Sequence, residues 1–278
     1  MTFFSKLPRR TVLLGALSLA LASTLASAKD PKDVVIGASS GPYADQIKLG
    51  IKPILEKQGY KVKIVEFNDY VQPNRALAEG SLDANLFQHV IYLNKFAADN
   101  KLPLVDLVKV PTAPMGLYST KHKSLADVKE GATVALPNDP TNTARGLVIL
   151  SNLGWIKMRA DWDPIRASEK DIVENTRKIK LIMLEAAQLP RSLGDTDYSL
   201  VTGNFALASG MKITQALAVE KLTPNYQNVV AIRSADKDTA FVKDLDAAFH
   251  SREFLDVTNK HFAGFSKTDY QLAMEAKK

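Results

Sequence analysis

Short apolar runs alternate with segments of helical spacing along most of the chain. Residues 33–39, Asp-Val-Val-Ile-Gly-Ala-Ser, are almost unbroken apolar sequence, as a strand buried on both faces requires. Gly41-Pro42 turns the chain. Over 43–58, Ile47, Ile51 and Ile54/Leu55 recur on one side of a predicted helix that Gly59 stops. Residues 61–67 alternate as a half-buried strand should, 70–79 carry a short helix around Pro73, 83–87 a third strand and 89–100 another helix. The stretch 104–118 is long and extended, interrupted by Pro111 and Pro114. Beyond it the pattern predicts a small helix over 121–131, a strand over 132–136 and a helix over 141–153. Residues 155–176 show no clear period. Strands at 180–185, 198–201 and 229–233, a short helix at 189–193 and helices at 238–249 and 253–262 complete the chain.

Strands alternating with helices predict α/β architecture, with parallel sheets covered on both faces. The extended stretch at 104–119 reads as a strand leaving one lobe for another, with a return crossing near 225–230. The expected organisation is a signal segment at 1–28, lobe 1 from 29–111 plus 229–278, and lobe 2 from 112–228, with a cleft between the lobes. In such sheets ligands sit beyond the carboxyl ends of the strands. Five turns fall there: Ser39-Ser40, Phe67-Asn68-Asp69-Tyr70, Phe87-Gln88-His89, Pro137-Asn138 and Gly203-Asn204.

The segment Val134-Ala-Leu-Pro-Asn-Asp-Pro-Thr-Asn-Thr-Ala-Arg-Gly146 is the most informative of these. Pro137 and Pro140 cannot donate to a ladder, so the strand is expected to stop by Leu136. Asp139 or Thr141 can cap the following helix, and Pro140 suits its first turn. Free N–H groups and the positive dipole end then favour an anion, and Arg145, in the first turns, can reach back to grip a carboxylate. The alternative is an ordinary capped helix whose arginine faces water.

Composition narrows the function. Lys6, Arg9 and Arg10, an apolar run over 11–25 and Ala26-Ser27-Ala28 form a secretory signal with cleavage expected after Ala28. Pro8 and Val12 fit a twin-arginine signal poorly, which favours general secretion. The 278 residues contain no cysteine, so a secreted chain of this kind must rest on its core rather than on disulfides. The formal charge of +6 owes half its value to the signal segment, and the rest is dispersed with mixed sign. No basic block of the nucleic-acid-binding kind is present, and no later segment is apolar enough to span a membrane.

With these elements in place the chain resembles the methionine-binding, NlpA/MetQ-type solute-binding proteins of ABC importers. The resemblance rests on Phe67-Asn-Asp-Tyr-Val-Gln-Pro-Asn74, Asp83-Ala-Asn-Leu-Phe-Gln-His89 with Tyr92, Val134 to Asn142 with Arg145, Glu185-Ala-Ala-Gln-Leu-Pro-Arg191, and Gly203-Asn204. It covers essentially the whole mature chain, with the motifs in order. It implies a two-lobed periplasmic-binding-protein fold of type II-like form, each lobe a mostly parallel sheet flanked by helices. It also implies that Tyr70, Phe87, His89 and Tyr92 surround a methionine side chain. By the same resemblance Asn138 and Arg145 hold the amino-acid backbone, with Arg145 on the carboxylate, and Asn204 and Asn228 supply further polar contacts. The expected ligand is L-methionine, with another apolar amino acid or a methionine-containing dipeptide as the alternative. The expected partners are an inner-membrane permease and its ATPase. The expected state is a monomer that needs no cofactor and performs no catalysis. Phe205 stands where the family often has tyrosine. Members of the family are usually lipoproteins, and without a cysteine this chain is expected to be free in the periplasm and not lipidated.

Two rival readings use other residues. Gly37-Ala-Ser-Ser-Gly41 matches G-x-S-x-G between a strand and a helix, the setting of a hydrolase nucleophile at Ser39. It lies on the first strand of the mature chain, however, whereas α/β-hydrolases place strands before it. His250 and His261, the bases late enough in the chain, fall in charged helical stretches. A metal site would need converging ligands, yet His89, His122, His250 and His261 show no paired spacing. Nothing in the pattern brings Glu185 and Asp197 together as a catalytic pair.

Overall fold

The computed structural model describes residues 30–163 and 166–277; the expected signal segment at 1–28 lies outside them. In chain order the strands are β1 (Asp33–Ser39), β2 (Lys61–Phe67), β3 (Ala84–His89), β4 (Leu104–Lys109), β5 (Gly116–Tyr118), β6 (Thr133–Pro137), β7 (Lys157–Met158), β8 (Ile172–Glu174), β9 (Lys180–Leu184), β10 (Tyr198–Val201), β11 (Ala218–Val219) and β12 (Asn228–Arg233). Helix α1 (Pro42–Gln46) passes through a π turn at Ile47–Ile51 into α2 (Lys52–Lys57). The others are α3 (Gln72–Ala78), α4 (Val90–Asn100), α5 (Pro140–Asn152), α6 (Leu189–Ser192), α7 (Gly203–Ala208), α8 (Ala240–Phe249), α9 (Arg252–His261) and α10 (Asp269–Ala276).

Two five-stranded sheets organise two lobes, in the orders β2-β1-β3-β12-β4 and β11-β5-β10-β6-β9. Pairing is parallel for β1 with β2 and β3, and for β6 with β9 and β10. It is antiparallel wherever a crossing strand enters: β12 against β3 and β4, and β5 against β10 and β11. The direction follows from the connectivity. A strand that comes into a lobe from the cleft must run against strands that end at the cleft.

Both faces of each sheet are covered, which explains the unbroken apolar sequence of β1. In the first lobe Ile36, Leu86 and Val230 pack with Ile47, Leu245 and Phe254 on one face. Leu77, Leu82, Leu93 and Val229 pack on the other. In the second lobe Val134, Leu147, Leu150, Trp155 and Tyr198 form one core, and Ala135, Leu189, Val201 and Phe205 the other.

The crossing segments run side by side. Val110 N–H donates to Asn228 O and Asn228 N–H to Thr112 Oγ1, both at 2.8 Å. Thr112 also exchanges backbone hydrogen bonds with Ser266, at 3.0 and 2.9 Å. Further along, Glu220 N–H donates to Met115 O at 3.0 Å and Leu217 N–H to Leu117 O at 2.7 Å.

Several elements differ in extent from their sequence patterns. β6 continues through Pro137, whose register partner is Leu184. A proline closes a strand without loss because the next donor, Asn138 N–H, makes the bond to Leu184 O at 2.9 Å. β3 runs on to His89, opposite Asn228, beyond the end expected at 87. The region 155–176 contains the β7–β8 hairpin, and α10 extends the helical C-terminal region.

Candidate ligand-binding site

A small cavity lies between the lobes, at the carboxyl ends of β1, β3 and β10. Its walls include Tyr70, Phe87, His89 and Tyr92 from the first lobe, Arg145 and Asn204 from the second, and Asn228 at the crossing. Seven of the eight sequence-predicted site residues therefore meet in one place. The eighth, Asn138, is exposed, and its amide donates to Glu185 Oε1 at 2.8 Å.

Three consecutive residues, Phe87, Gln88 and His89, all line the cavity, which a regular strand with alternating faces would forbid. The register between β3 and β12 explains it: Val229 pairs with Gln88 but Val230 with Leu86, leaving Phe87 as the extra residue of a bulge. Bulges re-aim side chains in this way beside functional sites.

The motif residues around this wall form its scaffold. Asn74 and Gln88 exchange amide hydrogen bonds, both at 2.7 Å, and Asn85 Nδ2 donates to Asn74 Oδ1 at 3.0 Å. All three are buried, so each unmade bond would carry a desolvation cost, and the network fixes α3 against β3. Asp69 Oδ1 accepts from Val71 and Gln72 N–H at 2.7 Å and shapes the turn that carries Tyr70. The Tyr92 hydroxyl then donates to Tyr70 O at 2.8 Å. The rings of Tyr70, Phe87 and Tyr92 lie with centroids 5.7–5.9 Å apart, and Phe205 from the second lobe comes within 5.2 Å of Tyr70. This tilted and edge-on clustering is favourable for aromatic rings and leaves an apolar wall suited to a polarizable side chain.

The opposite wall is polar and begins at α5. Asp139 is the N-cap, accepting from Asn142 N–H and from the Thr141 hydroxyl, each at 2.9 Å. Of the N–H groups expected to stand free for an external anion, that of Asn142 is taken by the chain's own carboxylate. Burial raises the Asp139 pKa, while its bonds to Asn142 and Thr141 act in the opposite direction.

Arg145, one helical turn on, is 6% exposed. Its Nη1 donates to Asn142 Oδ1 at 2.8 Å, its Nε to Glu220 Oε2 at 3.0 Å, and its Nη2 to Glu220 Oε1. Burial opposes the guanidinium charge, but the Glu220 carboxylate works against that loss, and the net pKa is raised. Three of its five N–H donors are thus committed. Two remain, one on each terminal nitrogen, matching the two oxygens of a carboxylate. The guanidinium also lies 5.3 Å from the Tyr226 ring centroid.

His89 links the two walls. Its Nδ1 accepts the Tyr92 N–H at 3.1 Å, so the ring proton sits on Nε2 and donates to Asn142 Oδ1 at 3.2 Å. Burial, and next the Arg145 charge, hold the imidazole pKa well below 6.5 and keep the ring neutral. Other bonds also bridge the lobes. The Tyr70 hydroxyl donates to Asn204 Oδ1 at 2.7 Å and lies 3.0 Å from Thr202 Oγ1. Asn204 Nδ2 donates to Ser39 Oγ at 3.3 Å.

That last bond gives the G-x-S-x-G segment its role. Ser39 is fully buried and meets a carboxamide across the cleft. Gly41 has φ +89°, and a Cβ there would lie 2.9 Å from that of Ala208 on α7. The second glycine thus permits close approach of the lobes. Elsewhere, His122 stacks on Tyr198 and contacts Asp197 Oδ1 at 3.3 Å. Among the described residues no three His, Asp or Glu side chains converge as a metal site, and no helix is long and apolar enough to cross a membrane.

Of the remaining lining residues, Gln88 and Gly203 lie in turns that the sequence pointed to, whereas Tyr43, Ala113, Asn142 and Thr202 were not singled out, nor was Glu220 behind Arg145. Asn142 was legible in principle, since it lies three residues before Arg145 and shares its helix face. Glu220 carried no such signal, because its contact spans 75 residues.

The family model described as NlpA lipoprotein matches residues 34–268. The D-methionine-binding lipoprotein MetQ of Salmonella typhi is 40% identical over 256 residues, covering 90% of this chain and 94% of that protein. A solved nutrient-binding protein from Burkholderia cenocepacia, bound to methionine, shares 40% identity at a TM-score of 0.80, over 84% of this chain and 99% of that one. An ABC transporter periplasmic substrate-binding protein from Coxiella burnetii shares 38% at 0.79, over 84% and 100%. These findings correct the expectation of a free, non-lipidated protein: the matched family is one of lipoproteins, and the Salmonella relative carries that name. With the two-lobed architecture, the interlobe cavity and this likeness together, the chain belongs to the NlpA lipoprotein family.

Proposed function

We propose that this protein is the substrate-binding component of an ABC importer and that its ligand is methionine, with the L enantiomer preferred. One observation carries the reading: the same interlobe cavity has aromatic rings at one end and a buried arginine with two uncommitted N–H groups at the other. A zwitterionic head needs its charges met once it leaves water, whereas a thioether tail gains by contact with aromatic edges. Arg145 holds the carboxylate, Asn204 and Asn228 complete the polar contacts, and Tyr70, Phe87, His89 and Tyr92 enclose the tail. Asn142 is a better candidate than Asn138 for the amide beside the carboxylate, because Asn142 lines the cavity.

The Salmonella relative named for D-methionine and the methionine-bound Burkholderia structure support the ligand class. The moving bodies are residues 29–111 with 229–278, and 112–228. Ligand drives closure to the extent that it binds the shut form better than the open one. The closed protein, acting as a monomer, hands its cargo to a membrane permease powered by an ATPase.

Mass spectrometry of ligand carried through purification, followed by calorimetric titration of stripped protein with L-methionine, D-methionine, leucine and glycyl-methionine, tests the reading. Methionine recovered from the protein and bound most tightly is expected. Tighter binding of leucine or of the dipeptide would replace the assigned ligand.

A further inference from the structure

Glu220 is not among the residues that line the cavity, and it meets the wall at Arg145. Its side chain is 8% exposed. One carboxylate oxygen, Oε2, accepts Arg145 Nε at 3.0 Å, and the other, Oε1, accepts both Arg145 Nη2 and the Met115 N–H, the latter at 2.5 Å. Its own N–H donates to Met115 O. The residue is therefore anchored to the crossing segment in two ways before it meets the guanidinium. The other titratable groups around Arg145 include Asp139, engaged with Thr141 and Asn142, His89, held neutral, and the phenols of Tyr43, Tyr70 and Tyr226.

A buried guanidinium without a counter-ion would be a strong attractor for any anion. With a carboxylate held on it side-on, the pair is neutral, yet the remaining N–H groups still point their partial positive charge at an entering carboxylate. A zwitterion enters such a site without changing its net charge. A monoanion of the same shape brings a negative charge that nothing balances.

From this geometry we infer that Glu220 is a positioning and selectivity residue: it fixes the Arg145 guanidinium side-on and cancels its charge, so that the cavity accepts a zwitterion and rejects the corresponding anion. The inference rests on the methionine reading above and adds to it the origin of charge selectivity.

The test compares two ligands on three proteins by titration calorimetry. The ligands are L-methionine and 4-(methylthio)butanoate, the same molecule without its ammonium group; the proteins are wild type, Glu220→Gln and Glu220→Asp. In wild type the anion is expected to bind at least a hundred-fold more weakly than methionine. In Glu220→Gln that ratio should shrink at least ten-fold, because the uncompensated Arg145 now favours the anion. Glu220→Asp keeps the charge but loses reach, so both affinities should fall while the ratio stays within about three-fold of wild type. Taking the ratio removes any general loss of packing or folded fraction, which weakens both ligands alike. An unchanged ratio in Glu220→Gln, or equal loss of the ratio in the aspartate variant, overturns the inference. If Glu220→Gln does not fold, wild type decides alone: an anion bound within ten-fold of methionine overturns it. Wild type that binds neither ligand defeats the methionine reading itself, an outcome separate from these.

Discussion

The Tyr70 hydroxyl donates to Asn204 Oδ1 at 2.7 Å, and the two residues follow strands of different sheets. One hydrogen bond thus joins the aromatic wall of the cavity to its polar wall and ties the lobes to each other. Burial raises the Tyr70 pKa, with the bonds to Thr202 and Asn204 opposing it, so the phenol remains a donor across the physiological range. Tyr70→Phe keeps the ring and removes the bond, leaving a buried carboxamide oxygen without its partner, at a cost of about 1–3 kcal/mol. Methionine affinity should fall by roughly five- to a hundred-fold, and small-angle scattering of the liganded variant should show a larger radius of gyration than wild type. Unchanged affinity would mean that the bond does not report closure.

Arg145→Ala removes the proposed carboxylate contact and also strips Glu220 of its partner. Breaking a buried pair from one side costs about 3–5 kcal/mol. The variant should lose at least ten-fold in methionine affinity and should unfold at distinctly lower urea concentration. Arg145→Lys should recover little of either, because an ammonium cannot reproduce the side-on two-pronged contact with Glu220.

Asn138 and Asn142 make a discriminating pair. Asn138 is exposed and bonded to Glu185, so Asn138→Ala should change methionine affinity less than two-fold. Asn142 accepts from both Arg145 Nη1 and His89 Nε2 and lines the cavity. Asn142→Ala should cost at least ten-fold in the same titration. The reverse order would return the role to Asn138.

His89 supplies a pH dependence of known sign. Its folded pKa is lowered below 6.5, first by burial and then by Arg145. Below about 6.5 the unfolded chain binds a proton that the folded chain refuses, so stability is full above that pH and falls as pH drops toward the folded pKa. The slope from one such group is at most about 1.4 kcal/mol per pH unit. Denaturation midpoints measured between pH 7 and 5 should fall in wild type and fall less steeply in His89→Gln; equal slopes would contradict the assignment.

Gly203 begins α7 against the crossing segment. A Cβ there would come 2.5 Å from Ala113 Cβ and 2.6 Å from Pro114 O. Neither contact is the far end of a flexible chain, so Gly203→Ala must move backbone. Weakened methionine binding together with a lowered melting temperature is expected, and an alanine variant that binds like wild type would show that this contact yields easily.

Hydrophobic periodicity was enough to read the α/β class, because a strand buried on both faces and a helix with one apolar stripe leave patterns within a dozen residues of themselves. The likeness to the solute-binding family implied that Tyr70, Phe87, His89 and Tyr92 meet in one cleft, whereas Arg145 was legible from its own strand, turn and helix start, which are local features. What the chain order could not express was decided by contacts between distant segments. The bulge at Phe87 depends on the register with β12, the preference for Asn142 over Asn138 on the turn of α5 into the cavity, and the partner of Arg145 on a return crossing 75 residues away. Local sequence sets which conformations each segment favours. Which charges are neutralised and which amides face a ligand is an energy shared between segments, and it exists only once the lobes are built around their cavity.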